Sequence, residues 1–369
     1  MFSNWKLDIP VVLIFDLDPV WNVAERCQVT EEISELAVSL KNQGHPVTLL
    51  PIVHRDLEDA LRGFSPETCI IFNWCESLPG DPRGEVRVAE IMERLGFTFT
   101  GASAAALRLN HSKPRMKRLM DTYGIPTPKW ALFDTPRAEG WCDFPAIVKP
   151  AYEHASIGIG PESVVETTEA LEARIAHVLE TYDQEAIVEE FINGREFHVS
   201  LWGNGNILVL PPAEMDFSSF PDPCDRLCSY DAKFIPNSRA YQDIHVRIPA
   251  PLSCAQRTTL ADLCRRAYVA SGCRDYARLD LRLRGDTFYV LDINANADLV
   301  SEASFFFAAE AAGYPYGALA SRLVNLAAAR HPVFRKSVRG DFTRHRVRPA
   351  ATVPEADAKA QRVVRMRRG

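Results

Sequence analysis

The chain has 369 residues, 47% of them hydrophobic and 24% charged, a composition typical of a globular protein with two or three domains. Its longest apolar runs fall well short of the roughly 18 residues that a membrane span requires, and its N-terminus lacks a secretory pattern, so we expect a cytoplasmic protein with no membrane partner. The net charge is −6, and because residues 335–369 are strongly basic the rest carries −14, which argues against nucleic-acid binding.

The first third of the chain alternates predicted strands and helices. Apolar runs and stretches with helical spacing follow one another at residues 10–15, 30–43, 46–53, 69–72 and 86–95. Such a β-α-β-α order favours a parallel sheet covered by helices. We therefore predict an N-terminal α/β domain over residues 1–112.

A smaller α+β unit is predicted to follow, over residues 113–192. After a first helix, the pattern predicts a strand at 145–149 and a glycine-containing loop at 151–160. It then predicts a helix at 168–182 and a strand at 186–190.

Residues 193–330 are predicted to form a third domain with an antiparallel sheet. Paired strands flank a Gly-Asn-Gly turn, and a second hairpin joins strands at 277–284 and 287–293. Between these hairpins, residues 211–243 are polar, proline-rich and predicted to be irregular. So long a loop in a compact protein is usually functional or mobile.

The C-terminal tail and the cysteines predict no further domain. Residues 331–369 are basic, broken by prolines and poor in large apolar side chains, so we expect much of this tail to be disordered. Nine scattered cysteines without a CxxC pair argue against a disulfide framework or a zinc knuckle. Reduced and mostly buried thiols are the simpler interpretation.

The most informative residues lie on the predicted hairpin. Side chains two residues apart share one face of a strand, so Arg278 with Asp280, and Asp292 with Asn294, can face a common cleft. Three oxygen-bearing side chains beside a nucleotide suit Mg²⁺, which binds few carboxylates together with phosphate oxygens and water. A solvated surface hairpin would explain the same residues equally well.

Two other predicted strands end in polar groups. Lys149 ends an apolar strand directly before a loop with Ser156 and two glycines, and such a loop can present N–H groups and a hydroxyl to phosphate oxygens. The strand at 186–190 ends with Glu189 and Glu190. Each signal is weak by itself, because a core strand with a charged end would look the same.

In this order and spacing, these segments resemble the ATP-grasp superfamily and, within it, the D-alanine–D-alanine ligase-like branch, from about residue 69 to residue 325. The resemblance depends on residues 72–76, 100–103, 112–117, 124–128, 147–150, 188–196, 230–233 and 278–294. It implies an α/β ATP-grasp fold with an N-terminal parallel-sheet domain, a central α+β lid and a C-terminal antiparallel-sheet domain. ATP would bind between the last two.

The resemblance implies how the triphosphate would be held. Lys113 and Lys149 would bind the phosphates, and Ser156 stands where the family's mobile phosphate lid carries a serine. Lys233 matches the lysine of the loop that closes over the phosphates, which would account for the long loop at 211–243.

The nucleoside would lie where the central unit meets the C-terminal domain. By resemblance, Glu189, Glu190 and Ile192 would line the adenine and hinge region through side chain and backbone. Glu196 would hold the ribose hydroxyls.

The hairpin residues would serve the reacting groups. By resemblance, Asp280, Asp292 and Asn294 would hold two Mg²⁺ ions, with Mn²⁺ as a substitute, and Arg278 would stabilise an oxyanion.

Several positions depart from a true D-alanine–D-alanine ligase, so the substrates stay open. Ala303 stands where that enzyme has a serine for the substrate carboxylate, and Asp298 replaces the glycine of a Pro-Gly turn. A carboxylate there should repel another carboxylate and attract a cationic group, although a cap of the following helix would explain Asp298 equally well. Asp18, Glu76 and Tyr230 are further candidate substrate contacts.

The predicted activity is that of an ADP-forming, ATP-dependent carboxylate–amine ligase. It would make an acyl phosphate and join it to an amine, giving an amide or peptide bond between amino-acid-like small molecules, and a homodimer is plausible by resemblance. Two alternatives stay open. One is another ATP-grasp ligase that acts on a peptide or larger metabolite, with the basic tail in docking, and the other is a nucleotide-binding protein without turnover.

Overall fold

The computed structural model describes residues 8–235, 237–338 and 362–365, with Phe234 and the last segment as backbone only. The N-terminal part is a parallel sheet in which β1 lies between β2 and β3, as predicted. Its elements are β1 (Val11–Asp16), α1 (Val23–Asn42), β2 (Val47–Ile52), α2 (Leu57–Leu61), β3 (Ile70–Trp74), α3 (Glu85–Arg94) and α4 (Ala104–Asn110).

Helix α1 begins earlier than the apolar spacing predicts, at Val23 instead of residue 30. The cause is a capping box: Asn22 Oδ1 accepts from the Glu25 N–H at 3.0 Å, while the Glu25 carboxylate accepts from the Asn22 N–H at 2.8 Å. Most residues of the first two turns face solvent, so the buried apolar spacing that predicts the helix does not extend into them. Helix α4 was not predicted at all.

The central part is a four-stranded antiparallel sheet in the order β4-β7-β5-β6. Its elements are α5 (Lys113–Thr122), β4 (Trp130–Phe133), β5 (Ala146–Pro150), β6 (Val164–Val165), α6 (Thr168–Tyr182) and β7 (Ala186–Glu190). Helix α6 and strand β7 have the predicted bounds. Strand β4 was missed, because its four side chains are all half-buried and show no alternation.

The C-terminal sheet is antiparallel, in the order β13-β12-β8-β10-β11-β14, with β9 paired to β8. Helices α9 and α10 pack against it, whereas α11 packs against α1 and β3 of the N-terminal part. The elements are β8 (Arg195–Trp202), β9 (Leu208–Val209), β10 (Ala213–Asp216), α7 (Tyr230–Phe234), α8 (Arg239–Asp243), β11 (His245–Ile248), α9 (Cys254–Ala270), β12 (Tyr276–Arg284), β13 (Thr287–Asn294), α10 (Ser304–Ala311), α11 (Tyr316–Ala328), α12 (Arg335–Val338) and β14 (Arg362–Arg365).

The prediction that residues 211–243 are irregular was wrong in part. Strand β10 lies inside the sheet between β8 and β11, and two short helices follow it. Ala213 and Met215 of β10 are buried, whereas Glu214 on the opposite face receives a bidentate ion pair from Arg195, at 2.6 and 2.8 Å. A strand of four residues between prolines carries too little pattern to be recognised.

The tail was expected to be largely disordered. Its described parts are regular: helix α12 ends at Val338, and β14 pairs antiparallel with β11. The rest of that expectation falls on residues 339–361 and 366–369, outside the described residues. Among the helices that the structure describes, none is both long and apolar enough to span a bilayer.

The apolar cores divide the protein differently from the sheets. Two large clusters mix side chains of the N-terminal and C-terminal sheets, as Val12 and Leu279 do, and they include the buried methionines of α5. The central sheet packs against α6 in a core of its own, with Val148, Leu171 and Val188. The four-stranded sheet therefore has a core of its own and shares only a small apolar cluster, around Leu227, with the C-terminal part.

A buried carboxylate ties the N-terminal and C-terminal parts together. Asp275 is fully buried and left-handed, with φ +62°. It accepts hydrogen bonds from the Gly101 N–H at 3.0 Å, from Asn204 Nδ2 at 2.8 Å and from both terminal nitrogens of Arg330, one at 2.9 Å. Because every one of these donors comes from a different segment, Asp275 fixes their relative positions.

Candidate active site

A cleft of about 890 Å³, counting its open mouth, lies between the four-stranded sheet and the hairpin of β12 and β13. Most of the predicted ATP and metal residues face it. Those that line it are Lys113, Lys149, Ser156, Glu189, Glu190, Ile192, Glu196, Lys233, Asp280, Asp292 and Asn294. The structure thus brings together residues that are up to 181 positions apart in the sequence.

One wall of the cleft carries a buried Lys-Glu-Lys arrangement. Glu189 at the end of β7 lies 2.9 Å from Lys149 Nζ and 3.3 Å from Lys117 Nζ. Burial alone would raise the pKa of Glu189, but the two ammonium groups outweigh it and hold that pKa at about 2. The carboxylate is therefore ionised, and Lys149 stays fixed at the edge of the cleft.

The loop after β5 reaches over the cleft. Ala155 and Ser156 have left-handed φ angles of 51° and 60°, which are uncommon for residues with side chains. Ser156 Oγ donates to the Cys228 carbonyl at 3.0 Å, and Lys113 Nζ donates to the Glu153 carbonyl. Desolvation lowers the pKa of the Lys113 amine, and the Asp292 carboxylate opposes that shift.

The opposite end of the cleft holds Glu196. Its carboxylate accepts from Arg282 Nε at 2.8 Å, and its other oxygen lies 3.8 Å from His198 Nε2. Burial raises the pKa of Glu196, but Arg282 and His198 overcome this and hold it at about 2. Glu190, nearer the mouth, is paired with Arg284.

The hairpin presents its acidic groups as predicted. Asp280 and Asp292 are directly opposite each other in the β12–β13 register, and Arg278 is opposite Asn294. Asn294 Nδ2 lies 3.2 Å from Asp280 Oδ2, which leaves the amide oxygen Oδ1 for another partner. Burial and the neighbouring Asp280 raise the pKa of Asp292, and Lys113 opposes them.

This donor set fits a hard divalent cation. Two adjacent carboxylates and an amide oxygen are ligands that Mg²⁺ accepts, and all three residues line the cleft. The alternative of a merely solvated hairpin does not fit, because Arg278 is buried and Asp280 and Asp292 line the cleft.

Two cations flank these carboxylates. Arg278 Nε and Nη2 donate to Asp280 at 2.8 and 3.0 Å, and this pair holds the pKa of Asp280 below its usual range despite burial. Lys233 of α7 is buried and lines the cleft, and desolvation together with Arg278 lowers the pKa of its amine. The cleft therefore has a cationic side that suits phosphate oxygens.

A second, smaller pocket is lined by residues from both ends of the chain. Glu76, which follows β3, and Asp298, which follows β13, lie on it together with Glu85 and Tyr276. Desolvation and the carboxylates of Asp298, Asp16 and Glu85 raise the pKa of Glu76 to about 8, although the residue is exposed and water screens part of this effect. The pocket is acidic.

The raised pKa of Glu76 predicts a pH-dependent stability. Its ordinary value is 4.5, so between about pH 4.5 and 8 the folded protein keeps a proton that the unfolded chain releases. Raising the pH through this window therefore lowers the free energy of unfolding. In urea titrations at about pH 5.5 and 8.5, we expect Glu76→Gln to lose less stability over this interval than the wild type. Equal losses would contradict the shift.

The remaining substrate candidates lie elsewhere. Asp18 accepts from the N–H groups of Val20 and Gly80, at 3.0 and 3.1 Å, and Tyr230 is 40% exposed at the start of α7. Neither lines the cleft or the acidic pocket. The alternative in which Asp298 caps the next helix is wrong, because α10 begins only at Ser304 and Asp298 Oδ1 accepts from the Val300 N–H at 2.9 Å.

Three buried residues of this region had no predicted role. Lys117 holds Glu189 from inside the protein, Arg282 holds Glu196, and His198 lies between Glu196 and Asp280. Arg282 could have been recognised, because it continues the i, i+2 pattern of Arg278 and Asp280. Lys117 and His198 carry no comparable signal.

A family model, sequence relatives and a solved structure all relate this chain to D-alanine–D-alanine ligases. The model of the D-ala D-ala ligase C-terminus matches residues 119–325. The chain is 31% identical to the uncharacterized protein y4sG of Sinorhizobium fredii, over 80% of this chain and 87% of that one, and 30% identical to the D-alanine–D-alanine ligase of Desulforudis audaxviator, over 80% and 92%. The structure of D-alanine–D-alanine ligase from Bacillus anthracis complexed with ATP superposes with a TM-score of 0.65 at 17% identity, over 88% of this chain and 98% of that one.

Proposed function

This chain belongs to the D-alanine–D-alanine ligase-like branch of the ATP-grasp superfamily, whose members are ATP-dependent carbon–nitrogen ligases, and we propose that it joins a small-molecule carboxylate to an amine. The fold class and the ligase class expected from the sequence are thereby confirmed. The observation that carries the proposal is the cleft itself, in which lysines and acidic hairpin residues converge from three parts of the chain.

In the proposed complex, ATP lies along the cleft. Lys113 and Lys149 would contact the phosphates under the loop that carries Ser156, and Lys233 would approach them from the opposite side. The adenine would lie near Glu189, Glu190 and Ile192, and the ribose near Glu196. The support is that the three lysines line the same cleft as these nucleoside candidates.

Mg²⁺ is the cation that we propose for the hairpin, with Mn²⁺ as a substitute. Asp280, Asp292 and Asn294 would hold two ions, as members of this family are expected to do, and the ions would neutralise phosphate charge. Arg278, which is paired with Asp280 and does not itself line the cleft, would stabilise a developing oxyanion from beside them.

The chemistry proceeds in two steps in this proposal. The γ-phosphoryl group passes from ATP to an oxygen of the substrate carboxylate, which gives an acyl phosphate and ADP. The amine then attacks the acyl carbon, phosphate leaves, and an amide remains. Positioning and electrostatic stabilisation carry both steps, so none of the cysteines is needed as a nucleophile. Closure of the Ser156 loop and of the segment before α7 would keep water from the acyl phosphate.

We further propose that one substrate carries a positively charged group. Glu76 and Asp298 face the same acidic pocket, which D-alanine's own carboxylate would not favour. Desolvation and the neighbouring carboxylates raise the pKa of Glu76, and a bound cation would oppose the charge repulsion among them. Asp18 and Tyr230 are not supported as contacts by their positions.

A homodimer and a cytoplasmic location complete the proposal. Val23, the first residue of α1, and Val20, in the turn before it, are 80% and 85% exposed, so the N-terminal domain offers apolar side chains to a second copy.

The experiment is ADP release from Mg-ATP in the presence of single amino acids and amino-acid pairs. Basic amino acids should be compared with neutral ones of the same length, and the amide product identified by mass spectrometry. We expect release to require a carboxylate and an amine, with a basic member preferred. Neutral pairs that work equally well would contradict the cationic substrate, and ATP binding without any turnover would favour the non-catalytic alternative.

A further inference from the structure

Arg282 is a buried arginine at the nucleoside end of the cleft. It follows Asp280 by two residues on β12, is 2% exposed and lines the cleft. Its guanidinium donates through Nε to Glu196 Oε2 at 2.8 Å, through Nη1 to the Ile192 carbonyl at 2.9 Å, and through Nη2 to the Arg226 carbonyl. Each of its three nitrogens therefore has an acceptor.

These acceptors belong to three different segments. Ile192 follows β7 of the four-stranded sheet, Glu196 is on β8, and Arg226 lies in the segment that leads to α7 and Lys233. The guanidinium also lies 4.6 Å from the centre of the Phe191 ring. A guanidinium out of water needs all its donors satisfied, so this group can hold the three segments in only one relative arrangement.

Arg282 also determines how Glu196 is presented. One carboxylate oxygen is taken by Arg282 Nε, while the other lies 3.8 Å from His198 Nε2, longer than a hydrogen bond, and the thiol of Cys228 is a weak donor beside the same carboxylate. That second oxygen can accept from a hydroxyl of a ligand in the cleft. A lysine at position 282 could neutralise Glu196 but could not reach all three acceptors from one rigid plane.

We propose that Arg282 is a positioning residue that makes the site selective for a ribonucleotide over a 2′-deoxyribonucleotide. It does so by holding Glu196 with one oxygen toward the ribose and by fixing Ile192 beside the base. This inference depends on the proposed function, in which Glu196 accepts from the ribose hydroxyls, and adds the residue that gives that contact its geometry.

The test measures binding, so that it does not depend on finding the substrates. The dissociation constants of Mg-ADP and of Mg-2′-deoxy-ADP are determined by calorimetry for the wild type, Arg282→Lys, Arg282→Met and Glu196→Gln. We expect the wild type to prefer ADP by about 10-fold or more, the loss typical for one hydrogen bond to a charged group. In all three variants this preference should fall toward 1, and ADP itself should bind about 10-fold more weakly.

Arg266→Met is the matched control, because Arg266 on α9 makes only a surface pair with Asp262 at 3.3 Å among its described contacts. It should keep the wild-type preference. Arg282→Lys guards against a folding defect, since it keeps the charge, and its circular dichroism should match the wild type. An unchanged preference in folded Arg282→Lys and Arg282→Met would overturn the inference.

Failure of the ligase proposal and failure of the inference about Arg282 give different results. If the wild type binds both nucleotides equally, Glu196 does not contact the 2′-hydroxyl and the inference about Arg282 falls, whereas substrate-dependent ADP release would still support the ligase. If no ADP is released with any substrate pair but the preference is lost in the variants, the ligase proposal falls and Arg282 keeps its role in nucleotide selection.

Discussion

Asp292→Asn should lower the rate of substrate-dependent ADP release on the order of 10³-fold while the fold stays intact. Asp292 stands opposite Asp280 on the hairpin and lies in the field of Lys113, which places it where phosphate and metal charge would meet. Removing one anionic ligand weakens cation binding and misplaces the transferring phosphoryl group. Asparagine has nearly the same volume as aspartate, and its amide oxygen can still accept from the Ile293 N–H, which lies 2.9 Å from Asp292 Oδ1 in the wild type.

The control for this variant lies on the same hairpin. Asp286 is exposed in the turn between β12 and β13, so Asp286→Asn removes the same charge without touching the cleft and should keep wild-type turnover. Rates are to be measured over a range of Mg²⁺ and Mn²⁺ concentrations. A partial recovery of Asp292→Asn at high metal concentration would support a metal ligand. Turnover within tenfold of the wild type at ordinary Mg²⁺ would contradict the assignment.

The largest effect on stability is expected at Asp275, far from the cleft. Asp275→Ala should lower the free energy of unfolding by about 3–5 kcal/mol, the typical result of removing one partner from a buried ion pair. It leaves the Arg330 guanidinium, the Asn204 amide and the Gly101 N–H without their acceptor. Asparagine tolerates a left-handed backbone, so Asp275→Asn should lower the free energy of unfolding by less than Asp275→Ala. Part of the loss should remain, because Arg330 still lacks its counter-charge.

The comparison for Asp275 is Asp183, which is also left-handed, with φ 50°, but exposed at the end of α6. Asp183→Ala introduces the same backbone strain but removes no buried network, so we expect it to lower the free energy of unfolding by only about 1 kcal/mol. Chemical unfolding monitored by circular dichroism measures both. Asp275→Ala should cost much less in an Arg330→Met background, since the unpaired charge is then absent. Similar losses for Asp275→Ala and Asp183→Ala would contradict the network.

The hairpin site could be predicted because its information is local. Arg278 and Asp280 are two residues apart, as are Asp292 and Asn294, and strand periodicity alone puts each pair on one face. Helix α6 was equally accessible, since Thr167 caps it, accepting from the Ala170 N–H, and Asp183 ends it in a left-handed conformation. Strand pairs and helix caps can be recognised because the residues involved lie within a few positions of each other in the sequence.

The acidic pocket could not be assembled from the sequence. Glu76 and Asp298 are 222 residues apart, and only the packing of the N-terminal against the C-terminal sheet brings them together. Lys117 lies in a segment that carries the family resemblance but has no predicted role, because nothing in a helical segment shows that a lysine will be turned inward onto Glu189. Strand β10 could not be predicted for a different reason, because four residues are too few to show the alternation of a strand.

The separate core of the four-stranded sheet has a consequence for turnover. Its contacts with the rest of the protein across the cleft are hydrogen bonds, such as Ser156 to the Cys228 carbonyl and Arg282 to the Ile192 carbonyl, and one small apolar cluster around Leu227. An outward rotation of this body would therefore break these hydrogen bonds, which water can replace, and open the small cluster around Leu227, but it would disrupt neither large hydrophobic core. The escape of ADP and product is thus separated energetically from unfolding, so a very stable fold need not be a slow enzyme.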